Sequence, residues 1–240
     1  MKQSIVKFSL LVMCFLMANL TFAQKFTTPA DGFSHKKIAY FTLQDGTELS
    51  AYVDKVKRQK GLIAEIEVKD ESGKKKTLTP EQIKHMYLPP SGFDKLSTTL
   101  DKAYDAQKWN QGENINQEYI KEGYVFFEQA EVMLKKGKET LLLQLLNPAF
   151  CGSIKVYHDP YAQETTSVGI GGITMAGGDD KSYYVSKNGD TAFLLKKKNY
   201  DETFELLYKD CPEFMKQYEK FKWSDFDIHV YEHAETCTQE

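Results

Sequence analysis

The sequence predicts an α+β fold: a small SH3-like or Sm-like β-barrel, a helical connector, then a C-terminal antiparallel sheet followed by three short helices. Three observations predict it. Apolar residues alternate with period two between glycine turns from residue 36 to 88, the pair Pro89-Pro90 interrupts this pattern, and after Leu195 the apolar spacing becomes helical. The 240 residues, 41% hydrophobic and 27% charged, suit one or two globular domains, and 15 Gly with 7 Pro exclude a collagen-like or low-complexity chain.

Residues 1–23 read as a secretory signal peptide. Lys2 and Lys7 give a positive start, Phe8 to Leu20 is nearly all apolar, and Thr21-Phe22-Ala23 offers a small-residue cleavage site before Gln24. An uncleaved anchor is the competing reading, but the apolar run is short for a span. Lipidation at Cys14 is disfavoured because Met13 is bulky where a small residue is needed. Cleavage removes two lysines and no acid, taking the formal net charge from −3 to −5.

Residues 24–90 form the expected barrel domain. Ile38 to Leu43 and Thr47 to Val56 flank an Asp45-Gly46 turn, Leu62 to Val68 alternates cleanly, and Lys76 to Leu78 and Ile83 to Leu88 follow Ser72-Gly73 and a helical turn at Thr79-Pro80-Glu81-Gln82. Residues 91–122 form the connector. Ser91 and Asp94 make a helix-start signal, and Phe93, Leu96, Leu100, Ala103 and Tyr104 share one stripe of a helix ending near Trp109.

Residues 123–240 form the expected α+β domain. Val125 to Leu134 and Glu139 to Leu146 read as a long hairpin, and Ile154 to His158, Thr165 to Met175, Lys181 to Ser186 and Asp190 to Leu195 as further strands, with a hairpin signal at Lys187-Asn188-Gly189. Three N-terminal capping signals follow: Asn199 with Glu202, Asp210 with Glu213, and Ser224 with Asp227. Each opens an apolar stripe at helical spacing.

The segments Leu141 to Asn147 and Ile154 to Pro160, with Asn199-Tyr200 and Asp210-Cys211-Pro212, resemble exported proteins of Bacteroidetes bacteria, whose signals often end in Ala-Gln as at Ala23-Gln24. The resemblance covers roughly the last half of the chain. It implies a Gram-negative envelope protein and brings no established activity or catalytic residue.

Arg58 is the only arginine among 31 basic residues, which disfavours nucleic-acid recognition, since base-edge and phosphate capture lean on the guanidinium fork. Lysine runs at residues 74–76, 135–138 and 196–198 sit beside turn signals and read as solvated loop tips. Cys211 and Cys237, both in the helical C-terminus, are the expected disulfide, with Cys151 a buried free thiol. No C-x-x-C pair marks a zinc site.

His229-Val230-Tyr231-Glu232-His233 matches H-x-x-E-H, in which two imidazoles four apart on a helix hold zinc and the Glu activates water. Only seven residues follow His233, leaving no place for a distant third ligand, so core packing is the expected role of both histidines. Gly169 to Gly178 reads as a kinked strand, because Asp179-Asp180 would repel phosphate. No G-x-S-x-G or comparable nucleophile motif occurs, and no cofactor is expected. Trp109 and Trp223 are the candidate exposed rings for a glycan platform.

The expected function is a non-catalytic interaction or ligand-binding module of the cell envelope, periplasmic or surface-exposed. Its expected partner is an envelope protein or glycan, with no nucleic acid and no transmembrane span after signal cleavage. The alternative is a metal-dependent hydrolase using His229, Glu232 and His233.

Overall fold

A computed structural model describes residues 26–92, 115–162, 169–170, 173–174, 182–218 and 220–237. The expected signal peptide, nearly all of the helix expected from the Ser91 start signal to near Trp109, with Trp109 itself, and most of the glycine-rich segment lie outside these residues. Among the described residues no helix is long and apolar enough to cross a membrane.

The protein is mixed α+β. Strands β1 (Ile38–Leu43), β2 (Glu48–Gln59), β3 (Leu62–Lys69), β4 (Lys75–Leu78) and β5 (Ile83–Leu88) form where the alternation predicts them, with a 3-10 turn at Pro80–Gln82. They do not close into a barrel. Helix α1 (Gln117–Lys121) leads into β6 (Val125–Leu134) and β7 (Gly137–Gln144), and one antiparallel sheet runs β4-β3-β2-β1-β5-β6-β7. Closure fails because β6 takes the free edge of β5, pairing Met86 with Phe127 and Leu88 with Val125. The sheet therefore crosses the division expected at residue 90.

One face of this sheet buries a continuous core. Ala39, Phe41, Val53, Ile66, Leu78, Ile83 and Met86 pack with Val125, Phe127 and Leu142 from the last two strands. Register shifts at Val53/Lys55 and Lys57/Arg58 mark bulges in the twelve-residue β2, and such bulges bend a long strand. The other face carries Tyr87, Tyr124, Phe126, Leu143 and Leu145.

A second sheet, ordered β12-β11-β8, comprises β8 (Ile154–His158), β11 (Ser182–Lys187) and β12 (Phe193–Lys196), while β9 (Gly169–Ile170) and β10 (Ile173–Thr174) pair only with each other. Backbone bonds join the two larger sheets, with Leu146 N–H donating to Val156 O at 2.8 Å and Met133 N–H to Ala192 O at 2.7 Å. Helices α2 (Tyr200–Tyr208), α3 (Pro212–Met215) and α4 (Phe226–Cys237) bury their stripes against the second sheet. The expected order of strands first and helices last therefore holds.

Two local devices fix the junction. Asn147, fully buried, donates from Nδ2 to the carbonyls of Ile154 at 2.8 Å and Phe150 at 3.2 Å, and its Oδ1 accepts from Val156 N at 2.9 Å. This side chain replaces the ladder bonds that the loop between β7 and β8 lacks. The N-terminal strap is the second device. Thr27 N–H and Oγ1 donate to Leu146 O, Ala30 N–H donates to Gln144 Oε1, and Gln144 Nε2 returns a bond to Thr28 O. At its two ends Phe26 packs against Phe150, Tyr183 and Phe226, while Phe33 meets Phe127.

The β2–β3 turn needs its glycine. Lys60 and Gly61 both have positive φ, at 53° and 84°, as a tight two-residue hairpin requires. A Cβ at Gly61 would lie 2.5 Å from the carbonyl oxygen of Pro160, beyond the end of β8. Gly61→Ala should therefore destabilise by about 1–3 kcal/mol, combining left-handed strain with displacement of the Pro160 segment. Urea unfolding checks this, with Gly46→Ala as the control, since that glycine has φ +84° but open space around its Cβ.

Candidate functional site

The helical spacing of α4 places Phe226, Val230 and Ala234 inward, and His229 and His233 join that buried face rather than its border. His229 is 1% exposed and His233 2%. The Tyr200 hydroxyl lies 2.6 Å from His229 Nδ1, and the His229 ring meets Tyr218 edge-on at 4.5 Å and Phe204 at 5.4 Å. His233 Nδ1 is 3.5 Å from Ser153 Oγ, and its ring lies between Tyr208 and Phe214. Tyr218 donates its hydroxyl to Glu232, and burial followed by the Glu232 charge pushes the phenol pKa up. Each member of the H-x-x-E-H motif thus has an interior partner, whereas a water-activating zinc site needs an open coordination position.

The group of potential ligands that does close, among the described residues, is Cys211, His233 and Cys237. Their ligating atoms lie within 4.8 Å of one another. Cys211 and Cys237 form a disulfide with Cα atoms 5.9 Å apart, as expected, and Cys151 is a buried free thiol. Burial raises the Cys151 pKa to about 11, so that sulfur stays an inert thiol at neutral pH. Trp223 is no exposed platform. It is 8% exposed, stacked on Phe226 at 5.6 Å and edge-on to Tyr200.

A cleft of about 760 Å³ opens elsewhere, between the turn of the β6–β7 hairpin and the second sheet. Its lining includes Met133, Lys135, Lys136, Tyr161, Tyr184 and Lys196. Asp159 shapes the floor, its buried carboxylate accepting Ser182 Oγ at 2.6 Å and Tyr161 N–H at 2.9 Å. With both oxygens engaged inside the protein, Asp159 holds the Tyr161 turn in place, and among the described residues the charge lining the cleft besides Asp159 is lysine opposed by Glu139. Met133 and Tyr161, each 46% exposed, present apolar surface beside those lysines. Burial raises the pKa of Tyr184 to about 12, so it remains a neutral hydroxyl.

Comparison of the chain with protein-family models, curated proteins and solved structures finds no match. The site's own geometry therefore carries the functional reading. Sequence reasoning missed Tyr161 and Tyr184, and it read all three lysine runs as separate loop tips, including the two that meet at this cleft. The fold brings Lys135-Lys136 and Lys196 to one rim because β12 lies beside the β6 hairpin through the Ala192 bridge to Val132. The only local hint was the Asp159-Pro160-Tyr161 turn.

The buried histidines predict a pH response. Desolvation lowers the pKa of His229 and His233 from 6.5 to about 4, so both stay neutral in the fold where the unfolded chain would be protonated. Stability should therefore fall as pH drops from about 6.5 toward 4, with each histidine contributing a slope approaching about 1.4 kcal/mol per pH unit within that window. Denaturant unfolding at pH 7.5, 6 and 5 measures this, and His229→Gln should flatten the slope.

Proposed function

We propose that the protein is an exported, non-catalytic binding module of the bacterial cell envelope, and that its cleft takes an acidic glycan. The observation that carries this reading is the cleft itself. The exposed ring of Tyr161 offers a face suited to a sugar ring, and Lys135, Lys136 and Lys196 stand where carboxylates of such a chain would pair. The burial of His229 and His233 and the Tyr218 hydrogen bond on Glu232 favour binding over hydrolysis. The positive start, apolar run and Ala23 cleavage site support export, and the Cys211–Cys237 disulfide suits an oxidising compartment.

The test is calorimetric titration of the mature chain with uronic-acid oligosaccharides, beside neutral oligosaccharides of equal length. The acidic series should bind with salt-sensitive affinity, and Tyr161→Ala and Lys196→Glu should each weaken it at least tenfold. Equal binding of acidic and neutral sugars, or no effect of either variant, would sink the proposal. Mass spectrometry of envelope fractions should find a mature chain starting at Gln24.

A further inference from the structure

Cys211, His233 and Cys237 are assembled with more chemistry than a disulfide requires. His233 and Cys237 are four residues apart on α4, so they project from one face, while Cys211 reaches them from the start of α3. Tetrahedral zinc held by two thiolates and an imidazole sets its ligand atoms about 3.5–3.8 Å apart, from bonds of about 2.3 Å to sulfur and 2.0–2.1 Å to nitrogen. The three side chains already lie within 4.8 Å of one another. A Cα separation of 5.9 Å lets side-chain rotation alone separate the two sulfurs once their bond is cut.

His233 supplies an independent observation. Its ring is almost fully buried, yet Nε2 has no hydrogen-bond partner, and the carboxylate of Asp210, which accepts from Lys187 Nζ at 2.5 Å, stops 3.9 Å away. An orphaned buried ring nitrogen is costly unless something takes its lone pair or proton. Tyr208 and Phe214 wall the ring from water, while Cys237 is only partly buried and leaves a path for an ion to enter.

We propose that Cys211, Cys237 and His233 form a three-ligand zinc site in the reduced chain, and that the disulfide is the metal-free, oxidised state of that site. A dithiol or phosphine reductant supplies two electrons, the S–S bond breaks, and two protons are taken up to give two thiols. Zinc then displaces those protons and binds the two thiolates and the neutral imidazole. A thiol oxidant removes the two electrons again, re-forms the S–S bond and releases the ion. Thiolate and imidazole donors select zinc over magnesium or calcium.

The test uses the whole mature chain, reduced by a phosphine in the absence of oxygen and titrated with cobalt(II), then zinc(II). The reduced chain should take up one equivalent of cobalt, with thiolate charge-transfer and tetrahedral ligand-field absorption that zinc abolishes, and the oxidised chain should show neither. His233→Asn retains both cysteines and should bind cobalt at least tenfold more weakly, with altered ligand-field bands. Zinc should also raise the melting midpoint of the reduced chain and leave the oxidised one unmoved. No cobalt uptake at micromolar concentration, equal affinity in His233→Asn, or a reduced chain that loses its fold and is not restored by zinc would each overturn the proposal.

Discussion

Asn147→Ala should cost about 3–6 kcal/mol of stability, a large effect for a single polar substitution. The side chain satisfies the carbonyls of Phe150 and Ile154 and the N–H of Val156, all inside the core. Truncation leaves three buried backbone groups without those partners, at about 1–3 kcal/mol each, and relaxation of the loop keeps the total in the lower part of that sum. Asn147→Asp should do no better: it keeps an acceptor for Val156 but sets a carboxylate against two carbonyl oxygens. Urea unfolding followed by far- and near-ultraviolet circular dichroism gives the comparison. A loss below about 1 kcal/mol would mean that the loop finds other partners.

Opening the disulfide should be the second large effect. Cys211 and Cys237 close a loop of sequence separation 26, for which the chain-entropy relation gives about 3.5 kcal/mol. Cys237→Ser should lower stability by that order. Reduced wild-type chain, with metal chelated, should approach the same value, while adding reductant to the variant should change little. The measurement is the denaturation midpoint with and without a phosphine reductant. The bond ties the last turn of α4 to the start of α3, so its loss should first expose the Tyr208, Phe214 and His233 cluster. Binding of a hydrophobic dye below the main transition would report that step.

Much of the fold was legible because its signals are local. Strands β1 to β5 alternate between glycine turns, Lys187-Asn188-Gly189 marks the β11–β12 hairpin, and the C-terminal stripes predict α2, α3 and α4. The disulfide followed from two cysteines flanking the same helical segment. The pairing of β5 with β6 was not legible, because some 36 residues separate Leu88 from Val125 and nothing near either strand specifies a neighbour across that distance. Without that pairing, five short strands read as a closed barrel.

The site was less legible than the fold. H-x-x-E-H is a spacing, and the same spacing serves two histidines packed among aromatic rings. Which role applies depends on Tyr200, Tyr218 and Ser153, which come from elsewhere in the chain. Trp223 was misread for a similar reason, since its burial comes from Tyr183 and Tyr200 rather than from its own neighbours alone. The lysine rim was divided among runs whose convergence only the sheet contacts reveal.

The strap over residues 26–33 bears on the order in which the molecule can assemble. Phe26 precedes its ring partners Tyr183 and Phe226 by more than 150 residues. The strap must therefore wait for the second sheet and α4 before it can settle, which makes folding a late, collective event.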